Sequence, residues 1–364
     1  MHRAYSLSVR EELVTAACQV LGSVTGRLAS RDDTVPPPNP GFVVIKRCCL
    51  GDVLASTALL DAMRRRYPLS RLDYATSSYS QPALAGNPDV SHVIQPTVAE
   101  LRHGRYDVAI TLERSPLAGM LPWLAGIPIR VGLNSLSRGF AHNLRVACPA
   151  DRSEAALALD CAAALDIPVA GARPKFCPSE AELARAEELL AGAGTAPLVA
   201  MAPGGGVNPG MRLVTKRWPA ERFAALADRL SRDGLRTVLV GGPEDAALSN
   251  GDALDLIGKI SLGETAAIIQ RCRLFVGNDS APLHLAAAVG TPWVGIFGPS
   301  DPMRHRPLGA GEVVAAPIPR SAYRNGYADA DCIGTVSVDD VYAACLRLLV
   351  PSPAPAGEGK GEGT

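Results

Sequence analysis

At 364 residues the chain is long enough for two domains of ordinary size, each with its own core. Its 36 basic and 36 acidic residues cancel and 47% of it is hydrophobic, which argues against a nucleic-acid binder held by a general positive field. Nine scattered cysteines without a CxxC pair read as the reduced thiols of a cytoplasmic protein, not as a disulfide framework or a metal centre. No apolar run reaches the ~18 residues that span a bilayer.

In chain order, residues 8–30 read as an amphipathic helix. Ser8 and Glu11 have capping-box spacing, and Leu13, Ala17, Leu21, Val24 and Leu28 recur near one face. Packing on the body of the protein competes here with contact to a membrane surface. Acidic Glu11 and Glu12 and the lack of a cleavage site speak against a secretory signal. The stretch "RDDTVPPPNPG" is a linker, because proline interrupts both helix and strand ladders.

From Phe42 on, strand and helix patterns alternate. "FVVIKR", "RLDYATS", "VSHVIQP", "YDVAITL" and "IRVGL" read as strands, and Leu54–Tyr67 and "SEAALALDCAAAL" as helices. The passage "DIPVAGARPKFCPSE" separates two halves. The second half restarts the alternation with "PLVAMAPGGG", "RTVLVGGPED", "LFVGNDS" and "PWVGIFGPSDP" as strands running into turns. Its helices are "PAERFAALADRLSRDG", "ETAAIIQRC", "APLHLAAAVG" and "SVDDVYAACLRLL". Two such series imply an α/β protein of two Rossmann-like, doubly wound parallel sheets facing a central cleft. The expected division is residues 1–41 (helix and linker), 42–177, 178–350 and a disordered tail, 351–364. The last helix is a candidate to return to the first domain.

The informative residues lie at strand ends, where open α/β sheets bind ligands. In "VGNDSAPLHLAAAVG" a strand stops and a helix starts near Ser280. The free N–H groups of the first turn and the positive end of the helix dipole suit a phosphate or diphosphate. Asp279 would repel phosphate, so it is expected to cap the helix or accept from sugar hydroxyls. His284, one turn in, could equally be a core histidine.

In "APGGGVNPGMRLVTKRWPAERF" the glycines match neither GxGxxG before a helix nor a Walker loop. Thr215, Lys216 and Arg217 stand just before the helix that Pro219 opens, where cations could hold a second face of a diphosphate. Trp218 reads as packing. Glu244, after a strand and two glycines, could accept two hydrogen bonds from a ribose diol, with helix capping by Glu244 or Asp245 as the competitor. Asp52, in "KRCCLGDVLASTALL", either caps its helix or acts as a general base on an acceptor hydroxyl. Asp329-Ala330-Asp331 spells DxD, but no strand precedes it and no metal site is expected there.

"LGDVLASTALLDAMRRRYP", "KRWPAERFAALADRL", "VLVGGPED" and "VGNDSAPLHLAAAVGTPWVGIFGPSDP", in that order, resemble the ADP-heptose lipopolysaccharide heptosyltransferase family of glycosyltransferases. The resemblance runs from about Phe42 to Leu349. It implies the GT-B architecture, with the acceptor bound mainly by the first domain and the nucleotide-sugar by the second. It also implies inverting transfer without a metal or other cofactor.

Carried over by position, it makes Asp52 the catalytic base, places Lys216 on the donor phosphates and Glu244 on the ribose. Asp279, Ser280, His284 and the amides of Ala281 and Leu283 then surround the diphosphate; Pro282 has no N–H to give. The implied partners are a nucleotide-sugar, ADP-heptose first, and a glycan or glycolipid acceptor. A monomer with peripheral contact at the cytoplasmic face of the inner membrane is the accompanying expectation. Three departures stand out: Ala281 where the family often has Gly, cysteines in "IKRCCLGD", and the extra N-terminal helix. A GT-B-like epimerase or hydrolase, and a non-catalytic nucleotide-sugar binder, remain the alternatives.

Overall fold

The computed structural model describes residues 9–25, 35–47, 49–208, 211–248, 253–323, 326–328 and 331–349. Ser8 of the expected capping box, Asp329 and Ala330 of the DxD, and the tail 351–364 lie outside them.

The first sheet contains β1 (Phe42–Ile45), β2 (Leu72–Ala75), β3 (His92–Ile94), β4 (Val108–Thr111), β5 (Ile129–Asn134) and β6 (Leu144–Ala147). All pairings are parallel, in the order β3-β2-β1-β4-β5-β6. Next come β7 (Leu198–Ala202) and a small hairpin of β8 (Val207–Asn208) and β9 (Met211–Arg212). The second sheet is completed by β10 (Arg236–Leu239), β11 (Leu254–Asp255), β12 (Leu274–Asn278), β13 (Trp293–Phe297) and β14 (Gly311–Ala315). Its order, β11-β10-β7-β12-β13-β14, repeats that of the first sheet and is again all parallel. Each sheet reverses its strand order once, between β1 and β4 and between β7 and β12. Such switch points open a crevice at the carboxyl edge of a sheet.

The apolar runs form strands because both faces of each sheet are covered. Phe42 and Val44 point into one apolar cluster, and Val43 and Ile45 into another on the opposite face. Helix Leu50–Arg66 is buried at every position from Val53 to Met63. It lies between helix Glu154–Ala163 of its own half and helix Ala281–Ala288 of the other. Burial on all sides explains why this helix carries no amphipathic stripe. Its polar members are satisfied: Ser56 Oγ donates to Val53 O at 2.8 Å and Thr57 Oγ1 to Leu54 O at 2.6 Å. Through the two touching helices, one cluster of buried residues runs from Phe42 and Leu59 to Leu285 and Phe275.

Several elements differ from the sequence expectations. β6, β11 and β14 lie at or near sheet edges and carry no uninterrupted apolar run. Helix Glu180–Leu190 occupies the chain just after the expected separator; it buries only Ala186, and Ser179 and Glu182 form its capping box. The closing helix, Val338–Leu349, packs on helix Ala220–Arg232 and on β12–β14, so it stays with the second sheet and does not return to the first. The N-terminal helix, Val9–Thr25, docks through Val14 and Cys18 against Phe140, Ala141 and Met120. The stripe expected to pack is the outward one: Leu13 is 67% exposed, and Ala17 and Leu21 are also exposed.

Candidate active site

A cavity of about 420 Å³ lies between the carboxyl edges of the two sheets. Asp52, Lys216, Glu244, Asp279, Ser280, Ala281 and His284 line it. Thr215, Arg217 and Leu283 are not among the described residues that do.

The second-sheet wall is built on a glycine loop after β7. Gly205 and Gly206 have φ of +112° and +75°, a backbone that side-chain-bearing residues rarely adopt. A Cβ on Gly205 would sit 2.5 Å from Ser280 Cβ, so only glycine lets the loop nest against the start of helix Ala281–Ala288. Asn278, at the end of β12, is fully buried and joins three segments. Its Nδ2 donates to the Pro203 and Gly204 carbonyls at 2.9 and 3.0 Å, and its Oδ1 accepts from Trp218 N–H at 3.0 Å. Trp218 is buried, as expected, and its Nε1–H donates to Val336 O.

Asp279 lines the cavity and makes no cap hydrogen bond to the helix. It is buried and accepts from Lys216 Nζ at 2.6 Å. Burial alone would raise its pKa; the Lys216 ammonium, by its charge and its hydrogen bond, overcomes this and holds the carboxyl far below its ordinary range. Burial would lower the Lys216 pKa, but Asp279 and neighbouring acids raise it. Lys216 Nζ also sits 5.0 Å from the Tyr327 ring centroid. Arg217 braces the loop, donating from Nε to Gly205 O at 2.9 Å and from Nη2 to buried Asp245 at 2.8 Å. Asp245 also accepts from Gly242 N–H at 3.2 Å. Thr215 is exposed. The Leu283 side chain is core, and its N–H already donates to Ser280 O at 3.1 Å. Ser280 Oγ donates to Asn278 O at 3.2 Å. Glu244 is exposed at the cavity edge and makes no ion pair with the described residues.

The first-sheet wall is built from side chains. Cys49, at φ +74°, turns the chain from β1 into helix Leu50–Arg66 and places Asp52 in its first turn. Asp52 pairs with Lys46 Nζ at 2.9 Å. Desolvation lowers the Lys46 pKa, but Asp52, Glu113 and Glu154 outweigh it and push the ammonium well above its ordinary value. Glu154 bonds Arg114 of its own half and Arg304 Nε of the other at 2.7 Å. Against its desolvation, these cations and Lys46 draw its pKa down to about 2. The two walls touch at Gly51, where a Cβ would stand 2.8 Å from His284 Cδ2. His284 Nδ1 and His305 Nε2 are buried without a hydrogen-bond partner among the described residues. Burial lowers the pKa of both rings, so each is held neutral.

The profile of glycosyltransferase family 9 (heptosyltransferase) matches residues 97–324. This chain belongs to glycosyltransferase family 9. Lipopolysaccharide heptosyltransferase 2 of Escherichia coli (strain K12) is 29% identical over 301 residues, covering 73% of this chain and 85% of that protein. The protein of the same name from Salmonella typhimurium is 30% identical over 301 residues with the same coverage. Among solved structures, a family 9 glycosyltransferase from Veillonella parvula matches with TM-score 0.72 and 25% identity over 87% of this chain and 99% of that one. The E. coli ADP-heptose heptosyltransferase II matches with TM-score 0.65 and 25% identity over 85% and 98%. The fold is GT-B, and the chain is a glycosyltransferase of the heptosyltransferase family. No described helix is long and apolar enough to cross a membrane.

The sequence reading missed several cavity residues of this family 9 enzyme: Lys46, Arg114, Glu154, Arg304, His305 and Tyr327. Lys46 carried a usable signal, a cation directly after a buried strand and therefore at a carboxyl edge. The Glu154–Arg304 bridge joins residues 150 positions apart, and no local pattern announces it.

Proposed function

We propose that this family 9 enzyme moves a heptose from ADP-heptose to a hydroxyl of a lipopolysaccharide-core glycolipid, with inversion and without a metal ion. The observation that carries the reading is the meeting of Asp52 with the Ser280–Ala281 helix start in one cavity, with Gly51 packed against His284. The Ala281 amide, with the helix dipole behind it, would hold the diphosphate. Lys216, kept charged by Asp279, would offset the charge that grows on the departing ADP. Glu244 would accept from the ribose diol.

On the opposite face Asp52 takes the proton of the acceptor hydroxyl as its oxygen bonds to the anomeric carbon. The bond from that carbon to the diphosphate oxygen breaks, and its electron pair leaves with ADP. The acceptor is a glycolipid met at the membrane surface, which the enzyme, a monomer, touches peripherally.

Asp52→Asn should lower the transfer rate by ~10²–10⁴-fold, the span of general-base catalysis, while ADP affinity measured by calorimetry stays near its parent value. Near-normal turnover would overturn the base assignment. Screening ADP-heptose against UDP- and GDP-sugars, with EDTA present and the product weighed by mass spectrometry, tests donor and metal independence. Release of free sugar or an epimer without acceptor would favour a hydrolase or epimerase.

A further inference from the structure

We infer that Tyr79 is the first half's contribution to the donor nucleotide: its ring, with the side chains of Ile260 and Leu262 in the second half, forms a slot for the purine base. The inference rests on the ADP-sugar reading and deepens it, since it gives part of the donor to the half expected to bind the acceptor.

Two contacts fix how the sheets face each other across the cavity. Beyond β6 and β13, Glu154 accepts from Arg304 Nε at 2.7 Å. Beyond β1 and β12, Gly51 packs on His284, with 2.8 Å between a Cβ placed on the glycine and His284 Cδ2. From there the strand orders run on from β1 to β2 in one sheet and through β7 to β10 in the other. The chain after β2, which carries Tyr79, therefore faces the chain after β10, which carries Glu244; both residues line the cavity. The electrostatics agree: burial, and then the Glu244 carboxylate, raises the pKa of the Tyr79 hydroxyl. The ring is also held in place. Ser80 N–H donates to Ser77 O at 2.9 Å to close a turn around Tyr79, and Ser77 N–H donates to Arg47 O at 3.1 Å, just past β1.

Tyr79 nevertheless stays 43% exposed. Single exposed apolar residues need no explanation, but a ring pinned on a turn at the rim of a cavity is a stacking face. What lies across from it names the occupant. Beyond β11, Ile260 and Leu262 are half-buried and line the cavity. A hydroxyl-rich acceptor gains little from two aliphatic chains and an aromatic face, whereas a purine is apolar on both faces. The strands also follow the order of the nucleotide's parts. Ile260 and Leu262 come after β11, Glu244 after β10 and Ala281 after β12, and the sheet runs β11-β10-β7-β12. Base, ribose and diphosphate lie in that same order along ADP.

The test is ADP binding to the full chain by calorimetry, with no sugar and no acceptor present. Tyr79→Ala should weaken ADP ~10-fold or more, as losing a stacking partner does. Tyr79→Phe should stay within ~2-fold of the parent, since the ring and not the hydroxyl makes the contact. In proton spectra the adenine H2 and H8 of ADP should move upfield on adding the parent or Tyr79→Phe, and lose that shift with Tyr79→Ala; a merely structural role would leave it in place. Without ADP the melting temperature of Tyr79→Ala should hold, because the residue is exposed. An ADP affinity of Tyr79→Ala within ~2-fold of the parent, or an equal loss in Tyr79→Phe, would overturn the inference. A parent that binds ADP with this signature but transfers no sugar would sink the transferase reading alone.

Discussion

The wall built on β7 and β12 and the wall built on β1 and β4 hold their charges differently. In the second-sheet wall the Lys216–Asp279 pair is buried, Asn278 joins three segments, and glycine backbone supplies the shape. In the first-sheet wall the work falls to side chains at helix starts: Asp52 on Lys46, and Glu154 between Arg114 and an arginine of the other half. The first kind of wall is fixed before any ligand arrives, which on the proposed reading suits the donor diphosphate. The second can be retuned one side chain at a time, which on the same reading suits the acceptor. In both, the informative charges are already paired, so the cavity binds through geometry as much as through net charge.

The sharpest way to break this contrast is Asp279→Asn. It leaves the Lys216 ammonium buried without its counter-ion, and removing one partner of such a pair costs about 3–5 kcal/mol. Denaturant unfolding should show that loss, and Lys216→Met added to it should recover much of it. A loss below about 1 kcal/mol would mean the wall is not held by the pair.

Acid comes next. His142, packed between helix Pro116–Leu124 and β5, is pushed down to about 4 by burial and by Arg130 and Arg145. The unfolded chain takes up that proton near pH 6.5, the folded chain only near 4. The stability it contributes is full above 6.5 and is lost as pH falls through this window, by about 3 kcal/mol. His284 and His305 shift in the same direction in the other half. Melting temperatures from pH 8 to 4 should therefore fall, and His142→Asn should flatten the slope by one proton. An unchanged slope would remove His142 from the account.

Smaller still is Lys46→Met, which leaves Asp52 without its partner. Turnover should drop ~10-fold, about 1.4 kcal/mol, with ADP affinity unchanged and partial rescue by Lys46→Arg. An equal loss of ADP affinity would show that the two walls do not act separately.

The sequence disclosed what repeats locally. β1, β4, β7 and β12 are short apolar runs, so the strands that flank both switch points could be read. β6 is buried only at Val146, β14 is half-buried at best, β11 is two residues long, and helix Glu180–Leu190 buries only Ala186; none carries the burial that makes an element legible. At the site, Asp52 and Ser280 stood out because each follows a strand into a helix. The roles of Asp279, Lys216 and Arg217 did not, because each depends on a partner 28 or 63 positions away. The outward stripe of the first helix was legible as a stripe, but which face its neighbours would take was not.

The connector between the halves has one more consequence. Lys175 is fastened to the first half by Asp61, Asp89 and Thr57, while the next residue, Phe176, donates its N–H to Ala288 O in the second. The pivot is thus a single peptide link with no slack on either side. Asp52 lies nine residues up one helix from Asp61, and Ala281 seven residues up the other from Ala288. At 1.5 Å per residue these are lever arms of roughly 10–14 Å. A rotation of about 10° at this link would part Asp52 and Ala281 by roughly 2 Å along each arm, enough, on the proposed reading, to separate the base from the acceptor's proton while the link itself scarcely moves.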